Sequence, residues 1–205
     1  MSNATVLTDR FDRALLYATH VHGGQVRKGT STPYIAHLLA VAATVLEYDG
    51  SEDMAIAALL HDAVEDQGGA ARLADIRNRF GNHVADIVHA CSDSVANTAG
   101  GQPKEDWRIR KTRYLEHLRL VDDYTLWVSL SDKVHNARSI LRDLRKREIG
   151  PKVFDRFMVP KEDTLWYYGE LAKVFKDRLP GQQLAEELSA IVDALRGDLN
   201  SIREF

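Results

Sequence analysis

Seven consecutive apolar residues, Met54 to Leu60, run directly into His61-Asp62-Ala63-Val64-Glu65-Asp66. With Ser51 as an N-cap, this composition predicts a helix from about Glu52 to Asp66 that is apolar on almost every side, and therefore central and buried. The remainder of the chain must be arranged around it. Ionisable side chains at the end of the most apolar helix are costly unless metal coordination or hydrogen bonds satisfy them. The same segment therefore marks both the core and the place to look for chemistry.

Elsewhere, apolar residues recur at intervals of three and four, and alternating β-branched runs bounded by turns are nearly absent. The fold class expected is all-α, a helical bundle of about nine or ten helices. Phe11, Ala14, Leu15, Ala18 and Val21 form one face of a first helix capped by Thr8 or Asp9 and ended by Gly23-Gly24. Pro33 suits the first turn of a second helix through Tyr34, His37, Leu38, Val41 and Val45. Further helices are expected over Leu73 to Phe80, Asn82 to Ser92, Lys104 to Leu120, Asp123 to Arg147, Lys161 to Arg178 and Gln183 to Leu195. The stretch Asp93 to Pro103 reads as a loop, either a lid or a plain connection.

A chain of 205 residues, 44% apolar and 28% charged, suits one compact domain spanning 1–205, with no repeat or linker to divide it. Its one cysteine, Cys91, can form no internal disulfide and reads as a core residue in a reducing compartment. No run approaches the ~20 apolar residues of a membrane-spanning helix, so a cytoplasmic location without membrane attachment is expected. The balance of 27 basic and 30 acidic residues, net −3, gives no general attraction to nucleic acid. A polyanionic ligand would need a local basic site.

Four residues of metal-ligand type lie on three predicted helices: His37 on the second, His61 and Asp62 on the third, and Asp132 on the long later one. Each is embedded in apolar neighbours. Two imidazoles and two carboxylates form a mixed nitrogen and oxygen set that suits manganese, iron, nickel or zinc rather than calcium. Glu65 and Asp66 follow His61 and Asp62 by four residues, one turn further on, and can face the same cavity without being ligands. Carboxylates there could position a water, take its proton or protonate a leaving oxygen. The alternative, plain helix-end charges, runs against the macrodipole.

The segments RKGTSTPYIAH (Arg27 to His37), ALLHDAVED (Ala58 to Asp66) and LSDKVHNARSI (Leu130 to Ile140) resemble the hydrolase motifs of the RelA/SpoT homologues within the HD metal-dependent phosphohydrolase superfamily. A looser similarity extends from about Phe11 to Leu179, and the length is similar to that of the small alarmone hydrolases. The resemblance implies an all-α domain that removes the 3′-pyrophosphate of ppGpp and pppGpp, giving GDP or GTP and pyrophosphate, with Mn²⁺ as the usual ion. It implies metal ligands at His37, His61, Asp62 and Asp132, and an acid/base pair at Glu65 and Asp66. Nucleotide contacts are implied at Arg27, Lys28, Asn136 and Tyr167. The partner expected is a small nucleotide; oligomeric state is not legible.

Residue chemistry is compatible with those assignments. Arg27 and Lys28 stand in a glycine-flanked loop and could supply the local positive charge, or be solvated loop cations. Asn136 follows Asp132 by four residues on one helical face, where its amide could hold a ligand oxygen or be structural. The chain departs from the family at Leu38, usually Pro, and at Gln67 and Ser139, both commonly Thr. Adenosine alarmones or a dinucleotide 2′-phosphate therefore stay open as substrates, and so does a non-catalytic alarmone-binding role. His20, His22, His83, His89, His117 and His135 read as surface or packing residues, and Arg142, Arg145, Lys146 and Arg147 as a basic helix end.

Overall fold

The computed structural model describes residues 5–94, 101 and 105–203, and within them ten α-helices, one 3-10 helix and a lone β-bridge. The chain divides into two compact units, residues 1–131 and 132–205. None of the described helices is long and apolar enough to cross a membrane. Most of the loop expected over Asp93 to Pro103 lies outside the described residues, and with it the question of a lid.

The first unit holds α1 (Asp9–Val21), α2 (Ile35–Glu47), α3 (Glu52–Leu60), α4 (Ala63–Asp66), α5 (Gly69–Phe80), α6 (Asn82–Cys91), α7 (Trp107–Leu118) and the opening half of α8 (Asp123–Leu144). As its composition requires, α3 is central: every residue from Met54 to Leu60 is buried, and the helix packs against α1, α2 and α6. Ile56, Leu59 and Leu60 are fully enclosed, each contributing roughly 1.5–3 kcal/mol of transfer free energy. Ser51 caps α3 by accepting from the Met54 amide. Gly50 lets α2 and α3 meet, because a Cβ there would collide with the Val45 carbonyl. Cys91 is buried as expected.

The second unit comprises the rest of α8, a 3-10 helix (Gly150–Arg156), α9 (Lys161–Arg178) and α10 (Gln183–Arg203), with α9 packed on α10. The expected end of the last helix at Leu195 is too early. It runs through Gly197 because Leu199 beyond it is also buried, and that burial outweighs the ~1 kcal/mol an interior glycine costs. Near the end of α8, Asp143 receives hydrogen bonds from Arg142 and Arg156, and Lys146 pairs with it at 2.9 Å. The basic helix end is thus largely organised around one buried carboxylate.

The predicted helix Glu52 to Asp66 is interrupted: α3 stops at Leu60, His61 and Asp62 form a turn, and α4 follows. Both turn residues keep right-handed helical dihedrals, which is why periodicity gives no sign of the break. The His61 ring Nδ1–H donates to the Ala58 carbonyl at 2.8 Å, a bond to a carbonyl three residues back that competes with the ordinary helical ladder. The interruption falls at the two residues expected to ligate a metal.

Candidate metal centre

His37 sits in the first turn of α2, behind a loop closed on itself. Val26 and Pro33 form an antiparallel bridge, the Arg27 amide donates to the Thr32 carbonyl, and the Tyr34 amide donates to the Gln25 carbonyl. Gly29 takes a positive φ of 70° at the tip, a conformation glycine adopts without penalty. This closure delivers Gln25, Arg27 and Tyr34 to the start of α2.

Ring nitrogens of His37 and His61 and a carboxylate oxygen of Asp132 lie within 4.8 Å of one another, and all three residues are buried. Asp132 follows Ser131 on the continuous helix α8, whose buried Val128 and Leu130 fix its rotation. Asp62 completes the set: its Oδ2 is 3.4 Å from His37 Nε2 and 3.1 Å from His61 Nε2. Because His61 Nδ1 carries its proton toward Ala58 O, Nε2 presents a lone pair to the group in the neutral ring. That is the tautomer a metal requires. Two imidazole nitrogens and two carboxylates converging at these distances suit a divalent transition ion.

The surrounding hydrogen bonds orient the carboxylates. Tyr34 Oη donates to Asp62 Oδ2 at 2.6 Å. Burial, and then the charges of Asp62 and Asp66, push the Tyr34 phenol far above its ordinary value, so it remains a donor. Asn136 Nδ2 donates to Asp132 Oδ1 at 2.5 Å, and Lys133 Nζ pairs with Asp132 Oδ2 at 2.6 Å. Asn136 is thus engaged with an expected metal ligand.

Glu65 and Asp66 are half-buried on α4. Gln25 Nε2 donates to Asp66 Oδ2 at 3.0 Å. Arg27 places its guanidinium over the Tyr34 ring, 5.6 Å from the centroid, while Lys28 is exposed in the loop. Tyr167 is buried on α9 of the second unit, in ring contact with Trp166 and Tyr168. The structure therefore brings together His37, His61, Asp62 and Asp132, joins Asn136 to that set, and ties Asp66 to the loop that carries Arg27.

Sequence reasoning missed Tyr34, Gln25, Lys133 and His22. Tyr34 and Gln25 lie within or just before the RKGTSTPYIAH segment, and Lys133 adjoins Asp132, so proximity was the available signal. His22 is buried, with its ring stacked on Tyr34 at 5.1 Å and 16°. Burial lowers its pKa, a tendency its hydrogen bond to Gln25 opposes. It is a packing residue, one of the two alternatives expected, and it also bonds Gln25.

Known proteins give an independent comparison. The family described as HD domain matches residues 14–157, a span that runs through both units. The bifunctional (p)ppGpp synthase/hydrolase SpoT of Escherichia coli K12 is 30% identical over 148 residues, covering 71% of this chain and 20% of that protein. A guanosine-3′,5′-bis(diphosphate) 3′-pyrophosphohydrolase of Aquifex aeolicus is 29% identical over 149 residues, covering 72% of this chain and 20% of the relative. The chain thus spans about a fifth of the length of these curated relatives. Among solved structures, a metazoan ortholog of SpoT described as hydrolysing ppGpp matches with a TM-score of 0.69 at 24% identity, covering 92% of this chain and 96% of the other. A Listeria monocytogenes EGD-e protein matches with a TM-score of 0.64 at 26% identity, covering 81% and 97%. Both likenesses support the all-α fold.

Proposed function

The chain belongs to the HD domain family, and on that premise we propose that it is a metal-dependent phosphohydrolase that removes the 3′-pyrophosphate of (p)ppGpp, yielding GDP or GTP and pyrophosphate. The observation that carries this reading is the convergence of His37, His61 and Asp132 on a point that Asp62 Oδ2 also approaches. The names of the curated relatives support the substrate. In this reading the chain acts on a small nucleotide in the cytoplasm, as one HD-type domain over 1–205 with its motif-bearing part at about 8–179.

His37, His61, Asp62 and Asp132 hold the ion, with Mn²⁺ as the proposed occupant. When bound it supplies Lewis-acid neutralisation of phosphoryl charge and acidifies water. The protein does the rest. Tyr34 and Asn136, by donating to Asp62 and Asp132, keep those carboxylates oriented. Glu65 and Asp66 orient the attacking water and take its proton as its oxygen bonds to the phosphorus carried by the 3′-oxygen. The bond from that phosphorus to the 3′-oxygen breaks, and the proton passes to the departing hydroxyl. Arg27 and Lys28 hold phosphate oxygens, and Asn136 and Tyr167 contact the nucleotide, so that attack is in line.

Purified protein with Mn²⁺ should release pyrophosphate from ppGpp. The panel also carries the adenosine analogue and a dinucleotide 2′-phosphate, each assayed with Mn²⁺, Mg²⁺, Ni²⁺ and Zn²⁺. Faster turnover of ppGpp supports the substrate assignment. Cleavage of the other esters alone overturns it while sparing the metal centre, and tight ppGpp binding without turnover under any metal assigns a binding role instead.

A further inference from the structure

The hydrogen bonds around Gln25 run in one direction. Gln25 Oε1 accepts from Gln67 Nε2 at 2.8 Å and lies 2.7 Å from His22 Nδ1, while Gln25 Nε2 faces Asp66 Oδ2 at 3.0 Å. Reversing the amide would set its NH₂ against the Gln67 NH₂ and its oxygen against a carboxylate, which only accepts when ionised. The orientation is therefore determined by its partners. With Oε1 an acceptor, His22 must carry a proton on Nδ1, and burial lowers the pKa of the ring. Among the described residues Nε2 has no hydrogen-bond partner. The Gln25 backbone is held as well, its amide donating to the His22 carbonyl and its carbonyl accepting from the Tyr34 amide.

We infer that Gln25 is a positioning residue for Asp66, and that His22 and Gln67 fix its amide so that an N–H always faces that carboxylate. Gln67 closes the clamp with a side chain long enough to reach back to Gln25 in the loop. The inference rests on the reading of Asp66 as an acid/base group. A carboxylate that accepts a fixed donor on one oxygen keeps its other oxygen oriented for the reacting water. Losing the donor frees that carboxylate to rotate, although no ligand of the ion is touched.

The test uses the full chain loaded with Mn²⁺ and assayed on ppGpp. Gln25→Met keeps about the same size but removes the donor to Asp66 without placing a second carboxylate beside it. It should lower kcat by roughly 10–100-fold, with KM within about twofold and bound Mn²⁺ unchanged. Gln25→Leu should do the same. His22→Leu should lower kcat less, and His22→Asn, whose amide can present an N–H where Nδ1 stood, should restore most of the loss. Wild-type kcat in both Gln25 variants, or a loss that follows loss of metal, overturns the inference. A ¹⁵N spectrum of the imidazoles gives a second reading that needs neither substrate nor a variant: His22 should carry a proton on Nδ1. Finding the Nε2–H form overturns the clamp whether or not ppGpp is cleaved. Finding Nδ1–H in a protein that does not cleave ppGpp supports the clamp and rejects only the substrate assignment.

Discussion

Helix α8 buries two aspartates, Asp132 and Asp143, in different electrostatic settings. Asp143 is met by Arg142, Lys146 and Arg156. Burial alone would raise its pKa, but hydrogen bonds from Lys146, Arg156 and Arg142 win and bring it down to about 2. Asp132 has Lys133 and the Asn136 amide beside it, and on its other side lie the imidazole nitrogens of His37 and His61 with Asp62 near both. Fixed cations oversupply one carboxylate. The other, paired with a single lysine, also lies beside two imidazoles and a second carboxylate, a donor set that a metal ion would complete. A buried carboxylate is thus a structural tie or a candidate ligand according to what surrounds it, and sequence position alone does not distinguish the two.

The contrast is broken most severely at Asp132. Asp132→Ala should abolish metal retention and lower turnover by roughly a thousandfold or more, the equivalent of several kcal/mol of lost charge stabilisation. Metal analysis of the purified variant beside a pyrophosphate-release assay checks both. Thermal unfolding without metal should change little.

Asp143→Ala should reverse that profile. Removing the centre of a charge cluster while its cations stay should cost about 3 kcal/mol of folding stability, read by urea denaturation. Metal content and kcat of the folded fraction should stay near wild type. A loss of metal there would mean that the two sites on α8 are not separable.

Acid titration sharpens the same point. The Asp143 folded pKa of about 2 lies below the unfolded aspartate value near 3.9. Its stabilisation is therefore fully present above ~4 and is lost as pH falls through ~2. In Asp143→Asn, the fall in stability between those limits should be shallower than in wild type, measured by denaturant midpoints across the window.

Arg27→Ala carries the smallest expected effect. A guanidinium over Tyr34 that serves phosphate binding should, when removed, raise KM for ppGpp about tenfold, the worth of one charge-assisted contact of about 1.4 kcal/mol. Metal content should be unaltered.

Much of this was legible in the chain. The all-α class and the burial of Met54 to Leu60 follow from composition and period. The joint presence of His37, His61, Asp62 and Asp132 in apolar surroundings was enough to nominate a metal centre. The break between α3 and α4 was not legible, because the backbone there stays helical in dihedral space, and the bond from His61 to the Ala58 carbonyl that accompanies it is made by a side chain. Nor was the fixed Gln25 amide, whose partners His22, Asp66 and Gln67 are set by how the loop closes. Asp143 was hidden among basic neighbours whose dipole reading was sufficient in itself.

The central claim is that one divalent ion is held by residues distant in sequence. Anomalous diffraction from crystals of the Mn²⁺-loaded protein tests it most directly. The account predicts one strong peak within bonding distance of His37 Nε2, His61 Nε2 and carboxylate oxygens of Asp62 and Asp132. A peak elsewhere, or well-ordered side chains at that point with no ion at saturating Mn²⁺, would contradict it.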